Sequence, residues 1–417
     1  MTNFRMTGSA RPAVSARKCS RRFKPSSMKV AIVGNGIAGI TAAKSISENL
    51  HGSSIKVFTD EDYNYYPRPL LDRLLSGTLG LEAMFPYDDN WYKSRGIDIS
   101  LGDRVTSIDV KSGRLKAARS GTTDFDKVLL ATGASPFMPP IEGISAKEVL
   151  AYRNIADVMR IRSFARGKNK AVVLGGGLLG LETAKSLTEL GLKVTVVEHN
   201  SRLLPRQLDD EGAAILKSMV EKSGIEVVLS GAAEGLEADI CIVSAGVRPN
   251  VGLARACGIG VEKGIVIDGF MQTTCQSVYA AGDCAEFNKT VYGIIPAAIE
   301  QGLAAASNIM ERPFEYKGTT FQATLKVIGI DLASIGKVNP EGTGYEAVCR
   351  KDPSRGLYRK CVIKDGRVVG AIVIGEKTGV VTLARMVKEG TDVSGNKEAL
   401  MGDDAALSEA FLKGPQV

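Results

Sequence analysis

Apolar residues in this chain fall in short solid blocks. Each block ends in glycine or a polar turn, and stretches of helical period lie between them. Lys29 to Val33 reads as a strand, followed by a glycine turn and a helix-like stretch from Ile37 to Leu50. A second strand, Ile55 to Thr59, runs into Asp60 and Glu61. The same order returns later. Lys170 to Leu174 is a strand, Gly175 to Gly180 a turn, Leu178 to Leu190 helical, and Lys193 to Val197 a strand ending at Glu198. A strand–turn–helix–strand–acid order that occurs twice implies two right-handed βαβ units, and so an α/β chain with two Rossmann-like nucleotide-binding domains. Further strands are expected at Lys127 to Leu130, Asp239 to Ser244 and Ser277 to Ala281, and a helix from Pro296 to about Met310. Beyond Tyr316 the pattern changes to short alternating strands near Thr324 to Ile328, Tyr358 to Ile363 and Val368 to Ile374. A helix over Val380 to Lys388 follows, predicting a small α+β domain.

The glycines carry the chemistry. In Gly34-Asn35-Gly36-Ile37-Ala38-Gly39 the first glycine permits the tight turn. The second lets backbone approach a pyrophosphate, and the third lets helix and strand pack closely. The anion then sits at a helix N-terminus. Gly175-Gly176-Gly177-Leu178-Leu179-Gly180 repeats the device, with Glu198 placed to accept from a 2′-hydroxyl and repel a 2′-phosphate. This favours NADH over NADPH, although Arg202 could blur the preference; the alternative is an exposed strand-end carboxylate. Two such folds in one chain suit a resident flavin, FAD, and a visiting nicotinamide, because both exchange hydride. Gly282-Asp283 ends a strand and could hold a ribitol hydroxyl, or could be a simple turn. The helix opened by Pro296 would aim its positive end at the flavin's pyrimidine edge. Glu182 could meet the nicotinamide, or could be a carboxylate favoured there by the helix dipole.

The expected division is 28–140 with 247–315 for FAD, 141–246 for NADH, 316–389 for the C-terminal α+β domain, and 390–417 as a polar tail. The 417 residues suffice for two or three domains, and no apolar stretch is long enough to span a bilayer. The formal charge of +7 belongs to residues 1–27, which hold seven Lys/Arg and no acid, so the rest of the chain is neutral and no nucleic-acid partner is implied. That basic segment reads as a disordered or non-native tail before Met28, or as a transit peptide. A cytoplasmic location is the expectation, with organellar import the alternative. Seven cysteines without a C-x-x-C pair, and only two histidines, suggest free thiols and no metal site.

With these residues in view, the chain resembles the pyridine nucleotide–disulfide oxidoreductases. The resemblance rests on KVAIVGNGIAG, LLATGASP, VVLGGGLLGLE, SAGVRPN, VYAAGDCAE and FQATLKVIGIDLASIG. Within them, YNYYPRPLLDRLLSG and MFPYDDNWYKSRGIDI look most like NAD(P)H:rubredoxin oxidoreductases and the flavin module of nitrite reductase large subunits. The resemblance implies FAD contacts at Gly34, Gly36, Ile37, Ala38, Gly39, Glu61, Arg68, Val105, Ala131, Thr132, Gly133, Gly282, Asp283 and Pro296. It implies NADH contacts at Gly175, Gly177, Leu179, Gly180, Glu182, Glu198 and Gly246. Arg68, expected beside the flavin, and Glu182 are the candidates to act on the reaction; Arg68 as a plain surface charge is the alternative. A small rubredoxin-like electron carrier or a small-molecule acceptor is implied as partner, and a homodimer is left open. Rival readings are an NADH oxidase or reductase component of a nitrite reductase or dioxygenase system, and an NADH-responsive signalling flavoprotein.

Departures matter. Residues 40–130 contain no cysteine, so the flavin–thiolate chemistry of disulfide reductases on that helix is excluded. Only nine residues separate Leu229 from Asp239, where relatives have a β-meander. The basic run from Arg350 to Arg367 could steer an acidic carrier or could be a solvated face.

Overall fold

The computed structural model describes residues 28–139, 149–231 and 236–411; of the strand Gln322–Val327 only the backbone is described. The basic segment 1–27 lies outside the described residues.

The solid apolar blocks become central strands, because a strand covered on both faces has no polar face to show. Lys29–Val33, Ser54–Phe58, Ile97–Ser100, Lys127–Leu130 and Val278–Ala280 form one parallel sheet. Lys29–Val33 sits between Ser54–Phe58 and Lys127–Leu130, so the strand order reverses at its carboxyl end. Helices Ile37–Asn49 and Ile295–Ile309 pack against each other beside it. Their approach depends on Gly302, where a Cβ would lie 2.7 Å from Ala38 O. An antiparallel ribbon, Val105–Asp109, Arg114–Ala117 and Gly121–Asp124, lies after Ile97–Ser100 in the chain.

A second parallel sheet holds Val149–Ala151, Lys170–Leu174, Lys193–Glu198, Glu226–Leu229 and Ile240–Val243, with Lys170–Leu174 between Lys193–Glu198 and Ile240–Val243. Between Leu229 and Ile240 the described residues form no strand. The chain enters and leaves this unit through Ala134–Pro136 and Val247–Pro249, which pair antiparallel. Helices Ile155–Ala165 and Asp210–Lys222, unmarked in the sequence reading, carry the caps Asn154 and Asp209.

The C-terminal unit has five antiparallel strands, not three. Ile330–Gly336 and Tyr345–Asp352 join Gln322–Val327, Leu357–Lys364 and Arg367–Ile374, with helix Val380–Glu389 packed on the sheet. Tyr345–Asp352 is an edge strand with hardly a buried residue, so it lacks the alternation that marks a strand. Of residues 390–417, expected as a polar tail with a short helix at 404–412, the described part holds a helix at Asp404–Phe411. Residues 390–411 fold back on this unit, burying Val393, Leu400 and Leu407. The Arg359 guanidinium, 1 % exposed, pairs with Glu376 at 2.8 Å and donates to Gly402 O and Thr378 O. Asp404 accepts from Gly379 N–H at 2.9 Å and Thr382 Oγ1 at 2.6 Å.

Asp209 joins the C-terminal sheet to the second unit. It caps its helix through Gly212 N–H and accepts from Tyr358 Oη at 2.6 Å and Lys360 Nζ at 2.8 Å. Burial opposes its charge, but the bonds from Lys360 and Tyr358 outweigh it and hold the carboxyl below its ordinary value. The stabilisation is therefore present above the unfolded pKa of about 4 and is lost as pH falls through the lower folded value. Asp209→Asn keeps the cap and removes the charge. It is expected to cost about 1–3 kcal/mol at pH 7, read as a lower thermal midpoint, with the gap to the parent closing below pH 4.

Candidate functional site

In each parallel sheet the strands' carboxyl ends lie on one side. The crevice at the strand-order reversal is where such sheets bind ligands. The first sheet places Gly34–Gly39, Glu61, Ala131–Gly133 and Gly282–Asp283 there, each just after a strand end. The second places Gly175–Gly180, Glu198 and Gly246 likewise.

The two glycine turns are built alike. Gly34 and Gly175 both have φ +114°, and a Cβ would lie 2.1 Å from Ala131 O in one and 2.3 Å from Ser244 O in the other. Gly39 and Gly180 lie over these turns, where a Cβ would meet Gly34 O at 2.0 Å and Gly175 O at 1.9 Å. Gly36 and Gly177 face open space, with nothing within 4 Å of a built Cβ. They are N-caps whose helices carry no side-chain cap, so the first N–H groups of Ile37–Asn49 and Leu178–Glu189 are open to an anion. Asn35 Oδ1 is buried without a partner in the first turn. Ile37 and Ala38 begin the first helix, and Leu179 is exposed in the first turn of the second.

Three expected FAD contacts are drawn together by a residue that the sequence reading missed. Arg68 Nη2 pairs with Glu61 Oε1 at 2.6 Å, while its Nη1 donates to Tyr66 Oη at 3.1 Å and to Arg153 O at 2.6 Å. Tyr66 Oη also donates to Glu61 Oε2. Arg153 Nη2 pairs with Asp283 Oδ2 at 2.8 Å, and its buried Nε has no partner. Arg68, half-buried, is thus part of a chain of contacts from Glu61 through Arg68 and Arg153 to Asp283. The available signal for Arg153 was the Asn154–Asp157 capping box immediately after it, which fixes its backbone through Asp157 Oδ2.

Gly282 packs against the first glycine helix, where a Cβ would lie 3.0 Å from the Ala38 side chain, and its N–H donates to buried Gln301. Pro296 is exposed in the first turn of Ile295–Ile309, which has no side-chain cap. Val105 is buried, and Asp103 N–H, two residues earlier, bonds Thr59 O at the end of the second strand. Thr132 and Gly133 are tied to Asn250 by three bonds of 2.7–2.9 Å. Gly246 O accepts from Phe137 N–H across the crossover ribbon.

Glu198 is 6 % exposed, which sets aside the exposed-carboxylate alternative. It accepts from Gly176 N–H at 2.6 Å and Asn200 N–H at 2.8 Å. Arg202 is turned onto Asp210 at 2.8 Å. Glu182 accepts from Ile328 N–H, at the C-terminal hairpin turn, at 3.0 Å, and burial holds its carboxyl above the ordinary value. Cys284, beside Asp283, is fully buried, and burial pushes its thiol up.

The two crevices are linked. Besides Arg153–Asp283, Ser186 Oγ on the second glycine helix donates to Asp72 O on Leu71–Ser76 at 3.0 Å. The fold and these turns define a protein with two dinucleotide-type crevices joined through one ribbon. The chain belongs to the pyridine nucleotide-disulphide oxidoreductase family, whose profile matches residues 28–302. A second profile, for the rubredoxin NAD+ reductase C-terminal domain, matches residues 322–391. The chain is 34% identical over 392 residues to an assimilatory nitrate reductase electron transfer subunit of Bacillus subtilis, covering 89% of this chain and 51% of that one. It is 28% identical to an NADH-rubredoxin oxidoreductase of Clostridium acetobutylicum, covering 92% and 99%. A crystal structure of NADH:rubredoxin oxidoreductase from that organism superposes with a TM-score of 0.78 at 25% identity, covering 91% of this chain and 99% of that one. The chain spans about half the length of several curated relatives it matches, the nitrate and nitrite reductase proteins among them.

The turn geometry separates two kinds of substitution. Gly36→Ala and Gly177→Ala enter open space, and thermal unfolding without added nucleotide should stay within about 1 kcal/mol of the parent. Gly39→Ala and Gly180→Ala collide with a carbonyl and should lose about 3 kcal/mol or more.

Proposed function

We propose that this protein is an FAD-dependent oxidoreductase that takes hydride from NADH and passes electrons to a small redox carrier of the rubredoxin type. The observation that carries the reading is the pair of matching glycine turns at two strand-order reversals, joined by the ribbon and by Arg153–Asp283. The partnerless Asn35 Oδ1 and the open space at Gly36 and Gly133 fit a bound dinucleotide. When bound, FAD supplies the acceptance of hydride and its release as electrons.

The chain's own groups bind and orient. Gly36, Ile37 and Ala38 present N–H groups to the FAD diphosphate. Arg68 and Arg153, held between Glu61 and Asp283, supply fixed positive charge to the same group. Glu61 takes ribose hydroxyls and Asp283 a ribitol hydroxyl. The Pro296 helix end faces charge that develops on the flavin. Gly177, Leu179 and Gly180 seat NADH, with Glu198 at its ribose and Gly246 and Glu182 towards the nicotinamide. The reading assigns no role to a thiol: residues 40–130 hold no cysteine, and burial pushes the Cys284 thiol up. The similarity to an NADH-rubredoxin oxidoreductase across most of both chains supports a protein carrier as acceptor.

Anaerobic titration tests the reading. The FAD-loaded protein should bleach with one equivalent of NADH and far more slowly with NADPH; a preparation that holds no flavin contradicts it. Glu198→Ala should lower the NADH over NADPH ratio of kcat/KM by about tenfold, the equivalent of one charge-assisted hydrogen bond.

A further inference from the structure

The basic run that stands out in the sequence is scattered by the fold. Arg350 and Arg359 pair with Glu376, Lys351 with Glu211 and Lys360 with Asp209. Lys364 and Arg367 instead border a concavity of about 570 Å³ at one end of the C-terminal sheet, joined there by Lys337 from another strand end. Their partners are not carboxylates: Lys364 lies over the Tyr345 ring at 4.9 Å, and Arg367 Nη1 donates to Gly390 O at 2.6 Å. Asp365 is the one acid in the lining, and nearby Asp392 turns onto Ser394 N–H. Half-buried Val369 and Val387 line the hollow together with Phe321, which is 48% exposed.

Phe321 stacks on Tyr292 with ring centroids 5.3 Å apart, and Tyr292 packs edge-on against Tyr316. Tyr292 leads directly into the helix whose first turn holds Pro296. The hollow therefore adjoins the segment assigned above to the flavin.

We propose that this hollow is the docking surface for the acceptor, and that it takes a carboxylate-bearing loop of an acidic electron-carrier protein. This rests on the oxidoreductase reading. Lys337 and Arg367 are exposed and Lys364 half-buried among the lining residues, an arrangement that steers and orients a protein surface. Val369, Val387 and Phe321 supply the apolar contact beside those charges.

The experiment compares the FAD-loaded parent with the triple variant Lys337→Gln, Lys364→Gln, Arg367→Gln. The substrates are NADH with a purified acidic rubredoxin at low ionic strength, and NADH with ferricyanide as small acceptor. The triple variant should raise the KM for rubredoxin by about tenfold and flatten its dependence on salt. Ferricyanide turnover should be unchanged, which also reports that the variant is folded and reducible. Asp365→Asn removes the one opposing charge and should lower the KM. Arg355→Gln, a charge loss outside the hollow, should leave it within about twofold of the parent. Unchanged rubredoxin kinetics in the triple variant, with NADH still bleaching the flavin, overturn the docking surface. Failure of NADH to bleach the parent's flavin overturns the reading beneath it instead.

Discussion

Everything in this fold that bears on function depends on how closely one stretch of backbone can approach another at two turns. At Gly34 and Gly175 the chain leaves a central strand with φ +114° and passes against the carbonyl of a neighbouring strand's end, where no side chain fits. Gly39 and Gly180 then bring the following helix down onto that turn. Helix dipole, uncapped N–H groups and the open faces of Gly36 and Gly177 all follow from this one steric condition. The repeat of the condition, with carbonyl approaches matching to within a few tenths of an ångström, gives the chain two sites of one design.

Two such sites become a redox unit only when they are fixed against each other. Here the fixing is done by short elements with no regular core of their own. The pairing of Ala134–Pro136 with Val247–Pro249 joins the units, and Asn250 locks Thr132 and Gly133 at its end. Arg153 then reaches from the second unit to Asp283 in the first. These bonds set relative position, which is what hydride transfer between two rings requires of a protein. The C-terminal sheet adds a third constraint through Asp209, Tyr358 and Lys360.

The sequence disclosed what local sterics decide. Both glycine turns, the strands beside them and the helix opened by Pro296 were legible because each is specified within about 30 residues by period and turn chemistry. Edge elements were not. Tyr345–Asp352 is exposed along most of its length, and Val149–Ala151 is three residues long, so neither leaves a periodic trace. The burial of residues 390–411 was hidden because Arg359, the charge that anchors them, reads as a surface residue. Arg153 escaped for a similar reason: the capping box after it marks a helix start, but its partner Asp283 lies 130 residues away. Arg68 and Glu61 were each legible as candidates, but their pairing with each other and with Tyr66 was not.

The central claim is that hydride passes directly between a nicotinamide and a flavin held in these twin crevices. Stopped-flow bleaching of the FAD-loaded protein by NADH deuterated at either C4 position tests it most directly. The account predicts that deuterium at one position slows the bleaching and deuterium at the other leaves it unchanged, because the nicotinamide presents a single face to the flavin. Equal slowing from both positions would contradict it.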